Sequence, residues 1–170
     1  MPQQITVERV RELFSYSHET GHLVWRVGRR GPARPGLIAG SVHTNMCGRK
    51  YRVIKLQGRR YLAHRLVWLH VHGVWPTNWL DHRDGDGLNN KLGNLREATK
   101  SENGCNRGAQ ANNTSGLKGV RWHKPRQKWL AQIGYKGRKR HLGLFDTPEQ
   151  AHAAYCRAAI EYHGSFARAH

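Results

Sequence analysis

The sequence predicts an α+β protein in two parts. An N-terminal β-rich region leads into a strand–loop–strand–helix unit, and a small three-stranded antiparallel sheet closed by a helix follows. Three observations carry this. Short apolar–polar alternations recur with turn residues between them. Helical periodicity is confined to a few short segments. The stretch "GCNRGAQANNTSG", residues 104–116, holds no large apolar residue and reads as a linker. The expected division is 1–107, a linker over 108–115, and a second domain over 116–170.

In chain order, Thr6 can cap a short helix with Val7, Val10, Leu13 and Phe14 on one face. "ETGHLVWRV" reads as a turn and a strand. "GRRGPARPG", residues 28–36, reads as a loop with no means of packing, either solvated or touching phosphate. "KYRVIKLQGRRYLAH" is expected to form a hairpin turning at Gln57-Gly58. "HRLVWLHVHG" reads as a helix burying Leu66, Val67, Leu69 and Val71 and ending at Gly73. Its histidines, His64, His70 and His72, do not converge on a third metal ligand. After the linker, "LKGVRWH", "KWLAQIGY" and "RKRHLGLF" are three strands. A helix follows, with Thr147 as its N-cap, Pro148 in its first position and Gln150 completing a capping box. Ala151, Ala154, Tyr155, Ala158, Ala159 and Tyr162 form one small-residue face, and Gly164 closes the helix. That face would lie close against the sheet and leave the sheet's other face to meet a partner.

Charge narrows the partner. Lys and Arg number 29 against 11 Asp and Glu, a net charge of +18, the footprint of a protein that meets a polyanion. Residues 1–115 carry +10 and residues 116–170 carry +8, so the charge is not one basic tail. A membrane surface is disfavoured, because no long apolar run or basic amphipathic helix occurs. "MPQQITVERVREL" lacks the apolar core of a secretory signal. Cys47, Cys105 and Cys156 are odd in number and form no CxxC pair, which indicates neither a zinc knuckle nor a disulfide framework. The expected location is cytoplasmic. Charge alone also admits a ribosomal-type or RNA-packaging protein.

Against this basic background stands one acidic island. The chain has four aspartates, and Asp81, Asp84 and Asp86 fall within "LDHRDGDGLNN". A calcium loop needs a Glu in its twelfth position; counting from Asp84, that position is Leu95. A plain turn accounts for Gly85, Gly87, Asn89 and Asn90, with Asp84 and Asp86 shaping the loop, but not for Asp81-His82 ahead of it. The alternative is a strand ending at His82, a reversing loop, a return strand over "NLREA", and a helix begun by a Thr99–Glu102 capping box. Such a hairpin can bring Asp81, His82 and Asn103 to one side. Asp and Asn oxygens are hard ligands suited to Mg²⁺ or Mn²⁺, and His is a base near neutral pH. Metal and base together suit phosphodiester hydrolysis.

These residues resemble the HNH endonucleases, the ββα-metal nucleases of phages and mobile introns. The matching text is "HRLVWLHVHGVWP" and "LDHRDGDGLNNKLGNLREATKSENGCN", within about 50–107, with the motif itself over about 64–107. The resemblance implies a ββα-metal core with His82 as general base and Asp81 as a metal ligand. Asn94 would brace the loop and orient the base, and Asn103 would stand where many relatives place a metal-binding His. One Mg²⁺ or Mn²⁺ ion per site is implied, with double-stranded DNA as substrate and no small-molecule cofactor. A lone centre per chain suggests nicking by a monomer, with a dimer or two events needed to cut both strands. The implied products carry a 5′-phosphate and a 3′-hydroxyl.

The segment 115–164, marked by "KGVRW", "KWLAQI" and "HLGLFDTPEQAHAAYCRAA", resembles the DNA-binding domain of the plant APETALA and ethylene-response-factor proteins. There the sheet enters the major groove. By position, Lys118, Arg121, Lys128, Trp129, Arg138 and Arg140 are the candidate DNA contacts, with core packing the other reading of Trp129. His141 stands where that family has a Trp. The combined expectation is a DNA endonuclease targeted by its C-terminal module. The alternatives are a non-catalytic DNA-binding regulator and, with Trp122 and Trp129 as stacking platforms, an RNA-binding protein.

Overall fold

The computed structural model describes residues 5–28, 33–106, 108 and 113–167. The chain divides into two compact units, Met1–Thr99 and Lys100–His170. Both mix helices with small antiparallel sheets, which is the α+β class expected.

In the first unit α1 (Val7–Leu13) starts at Thr6, whose hydroxyl accepts the Arg9 N–H at 3.3 Å. A two-stranded ladder follows, β1 (Phe14–Tyr16) with β2 (Leu23–Trp25). Next is the three-stranded sheet β3 (Ser41–Thr44), β4 (Lys50–Leu56) and β5 (Arg59–Leu62), with β4 central. Gln57 and Gly58 both take positive φ, 49° and 78°, the geometry that a two-residue hairpin demands. Helix α2 (Ala63–His72) ends on a left-handed Gly73. It buries Leu66, Val67 and Leu69 against Phe14, Leu23, Ile54 and Leu56, while Val71 is only half-buried. Each such apolar side chain contributes roughly 1.5–3 kcal/mol. Ala33 joins this core, so the 28–36 loop packs at that point, contrary to expectation; its residues 29–32 lie outside the described residues. The unit ends in β6 (Trp79–His82) paired with β7 (Leu95–Ala98).

The second unit opens with α3 (Lys100–Cys105). Of the expected linker, 109–112 lie outside the described residues. The three strands are β8 (Val120–His123), β9 (Lys128–Tyr135) and β10 (Arg138–Phe145), with β9 central. Helix α4 (Pro148–His163) is capped by Thr147, which accepts the Gln150 N–H at 3.3 Å. Its Ala151, Tyr155, Ala158 and Ala159 are buried against Val120, Ala131 and Ile133. Small residues allow the close approach, and Gly119 makes it closer still. A Cβ there would stand 2.0 Å from the Tyr155 ring.

Candidate active site and nucleic-acid interface

The β6–β7 ladder positions the acidic island. Leu80, Asp81 and His82 are buried at the end of β6, with Asp81 opposite Arg96 and His82 opposite Leu95. Cross-strand neighbours share a face, so Arg96 reaches Asp81 directly. Its Nε and Nη2 donate to Asp81 Oδ2 at 2.9 and 2.8 Å. Both side chains are nearly sealed from solvent. Removing either partner of such a pair costs about 3–5 kcal/mol, because the survivor stays buried and charged.

His82 is held from the loop. Its Nε2 lies 3.0 Å from the side-chain oxygen of Asn90, which is 1% exposed. The His64 ring meets it edge-on at 5.0 Å between centroids, and the Tyr51 ring lies 6.3 Å away. Burial, with His82 and Arg65 close by, lowers the His64 pKa to about 3, so this ring stays neutral beside the candidate base.

Asn94 acts on the loop backbone. Its amide donates to Asp84 Oδ1 at 2.9 Å and to the Asn89 carbonyl at 2.8 Å, and its oxygen accepts the Asp84 N–H at 3.1 Å. Asp84 also accepts from the Asp86 N–H and the Asn89 amide. Burial works to raise the Asp84 carboxyl, but the hydrogen bonds from Asn94, Asp86 and Asn89 hold it below the ordinary value. Asp86 in turn accepts the Leu88 N–H. Two of the three island aspartates therefore shape the loop. A direct contact to His82 comes from Asn90, which in the sequence reads only as a turn former. Two adjacent asparagines look alike in sequence, and burial alone separates Asn90 from Asn89.

Asn103 lies on α3, in the second unit, whereas Asp81, His82 and Asn94 lie in the first. Among the described residues no group of three or more His, Cys, Asp or Glu forms a metal cage. Asp81 in the first unit carries a hard carboxylate oxygen of the kind a Mg²⁺-type ion takes, and Asn103 in the second unit a hard amide oxygen. His70 and His72 are engaged elsewhere, His70 with the Phe14 carbonyl at 3.3 Å and His72 on the Trp68 ring.

In the second unit strand parity sorts the DNA candidates. Trp129, Ala131 and Ile133 face α4, as do their partners Phe145, Gly143 and Arg140. The opposite face carries Arg121 and His123 on β8, Lys128 and Gln132 on β9, and Lys139 and His141 on β10. Of the six expected contacts, only Arg121 and Lys128 stand on this open face. Trp129 packs with the helix-side cluster and makes an edge contact to Trp122 at 5.1 Å. Arg140 lies 5.3 Å from both the Tyr135 and Tyr162 rings, and Arg138 pairs with Tyr135 on the same side. Lys118 donates to the Cys105 carbonyl and lies over the Tyr155 ring. A bulge between His141 and Gly143 resets the alternation, so Leu142 stays on the helix side while His141 faces out.

These two constructions define a class: an HNH nuclease domain joined to an AP2 DNA-binding domain. The model of the family described as HNH endonuclease matches residues 61–105, and that of the AP2 domain matches residues 115–165. The chain belongs to the HNH endonuclease family. It is similar to Protein 3.8 of Escherichia phage T7, at 39% identity over 106 residues, covering 62% of this chain and 87% of that protein. No solved structure matches. HNH proteins generally use a divalent metal ion. Among the described residues no helix is long and apolar enough to cross a membrane.

Proposed function

We propose that the protein is a metal-dependent endonuclease of double-stranded DNA that cuts one strand per event. The observation that carries this is the fixed His82, buried beside Asp81 and held by Asn90. An amide oxygen only accepts, so this contact sets the proton of the neutral ring on Nε2 and makes Nδ1 the basic nitrogen. His82 takes a proton from water, whose oxygen attacks phosphorus as the P–O3′ bond breaks; the departing O3′ takes up a proton from solvent water, leaving a 5′-phosphate and a 3′-hydroxyl. Asp81 and Asn103 are the residues that would hold a divalent ion, Mg²⁺ or Mn²⁺, which when bound would supply charge neutralisation at the scissile phosphate group. Arg96 orients Asp81. Asn94 keeps the loop in the shape that brings Asn90 to His82.

The C-terminal domain, from about 116, holds duplex DNA through the open face of its sheet, with Arg121, Lys128, Lys139 and His141 as contacts. Arg138 and Arg140 serve the packing side, while Lys118 ties 118 to α3. The enzyme acts in the cytoplasm as a monomer, with paired cuts arising from two events or a dimer. Incubation of supercoiled plasmid with the protein tests this. Open-circular product with Mg²⁺ or Mn²⁺ and none with EDTA supports it; intact plasmid despite tight binding supports a non-catalytic regulator.

A further inference from the structure

We propose that the outer face of the β3–β4–β5 sheet is a second DNA-holding surface, gripping the sugar–phosphate backbone a few nucleotides from the cleaved bond. Its position relative to that bond rests on the reading of His82 as the base; its binding of DNA does not.

Alternation along β4 puts Tyr51, Val53 and Lys55 on one face, with Ile54 and Leu56 in the core on the other. In register, His43 stands beside Tyr51 and Arg60 directly opposite Lys55. His43, Lys55 and Arg60 are exposed. Two cations facing each other across a ladder destabilise it. Neither ion-pairs with a carboxylate among the described residues, so nothing there offsets the repulsion. A polyanion would. The face also borders an open cavity of about 780 Å³, in which Trp25, Ala33 and Ile38 supply apolar wall and His43, Lys55 and Arg60 supply polar and charged wall. An apolar surface beside cations suits a strand of deoxyribose and phosphate.

The face leads to the candidate centre. Tyr51, at its inner end, is the residue whose ring lies 6.3 Å from that of His82. Lys55 is four residues further along β4, about 13 Å at the ordinary strand rise. Phosphates along one strand of a duplex are ~3.4 Å apart measured along its axis, so Lys55 and Arg60 meet the backbone about four steps from the cut.

The test is the full chain carrying Lys55→Gln and Arg60→Gln, bound to a mixed-sequence duplex over a range of salt. Two lost phosphate contacts should reduce the salt slope by about 1.8 and the affinity at 0.1 M salt by roughly sixtyfold. Arg157→Gln, exposed on the outer side of α4, should leave the slope unchanged. An unchanged slope in the double variant overturns the proposal, as does an equal drop in the Arg157 control. The slope is read without cleavage: a fallen slope with uncut plasmid keeps the surface and removes the nuclease reading, and the reverse removes only the surface. Should the double variant fold poorly, wild-type protein and duplexes with a single methylphosphonate decide. Neutralising phosphates about four steps from a mapped cut should weaken binding, and a profile flat at those positions overturns the proposal.

Discussion

Asn90 places its side-chain oxygen 3.0 Å from Nε2 of His82, and both residues are buried. A loop of turn-forming residues thus holds the base that a strand delivers. Asn90→Ala should lower the cleavage rate by less than the roughly 10²–10⁴-fold loss expected for removing the base itself, with DNA affinity within a few-fold. Single-turnover rates and binding isotherms separate the two quantities. Nitrogen chemical shifts of the His82 ring provide a second check: the Nε2–H form should dominate the neutral ring in wild type and lose its dominance in the variant.

The buried His64 ties stability to pH. Its folded pKa is lowered to about 3 by burial and by His82 and Arg65, while the unfolded value is near the ordinary 6.5. Between those values the unfolded chain binds the extra proton, so acid favours unfolding. The His64 contribution is fully present above about pH 6.5 and is lost progressively as pH falls toward 3. Thermal midpoints measured across that range should drop in wild type. In His64→Phe the dependence should be shallower.

Two arginines on one domain should behave in opposite ways. Arg121 stands on the open face, so Arg121→Ala should weaken duplex binding and reduce the salt slope by about one. Arg140 lies 5.3 Å from each of the Tyr135 and Tyr162 rings, which stack on one another at 4.9 Å. Arg140→Ala should chiefly lower thermal stability, by about 0.5–1 kcal/mol, the worth of a surface cation–π contact. Equal loss of binding in both variants would mean that the faces are assigned wrongly.

Gly119 has φ +76° and no room for a side chain against Tyr155. Burial pushes the Tyr155 hydroxyl up to about 12, with Cys105 and Cys156 adding to the rise. Gly119→Ala must strain the backbone and displace the ring. It should destabilise the C-terminal unit by about 1–3 kcal/mol, seen as a lower midpoint for that unit in denaturant.

Much of the fold was legible because it rests on local chemistry. Thr6 and Thr147 cap the helices assigned to them, Gln57-Gly58 turns the hairpin, and Gly73 ends α2. Asp81-His82 at a strand end was equally legible, since a buried polar pair after an apolar residue is unusual. What escaped depends on long-range partners. Strand β3, exposed along its whole length, has no alternation to betray it and exists through its pairing with β4. Arg138 and Arg140 stand on the helix side of the sheet through their pairing with Tyr135 and Ile133, a register that charge in the sequence does not display. Asn90 differs from Asn89 only in what closes over it.

The most direct test of the central claim is His82→Ala, with plasmid cleavage and duplex affinity measured on the same preparation. Cleavage in Mg²⁺ or Mn²⁺ should fall by about 10²–10⁴-fold while affinity stays within a few-fold of wild type. Undiminished cutting would contradict His82 as the base and, with it, the active site built around Asp81 and Asn90.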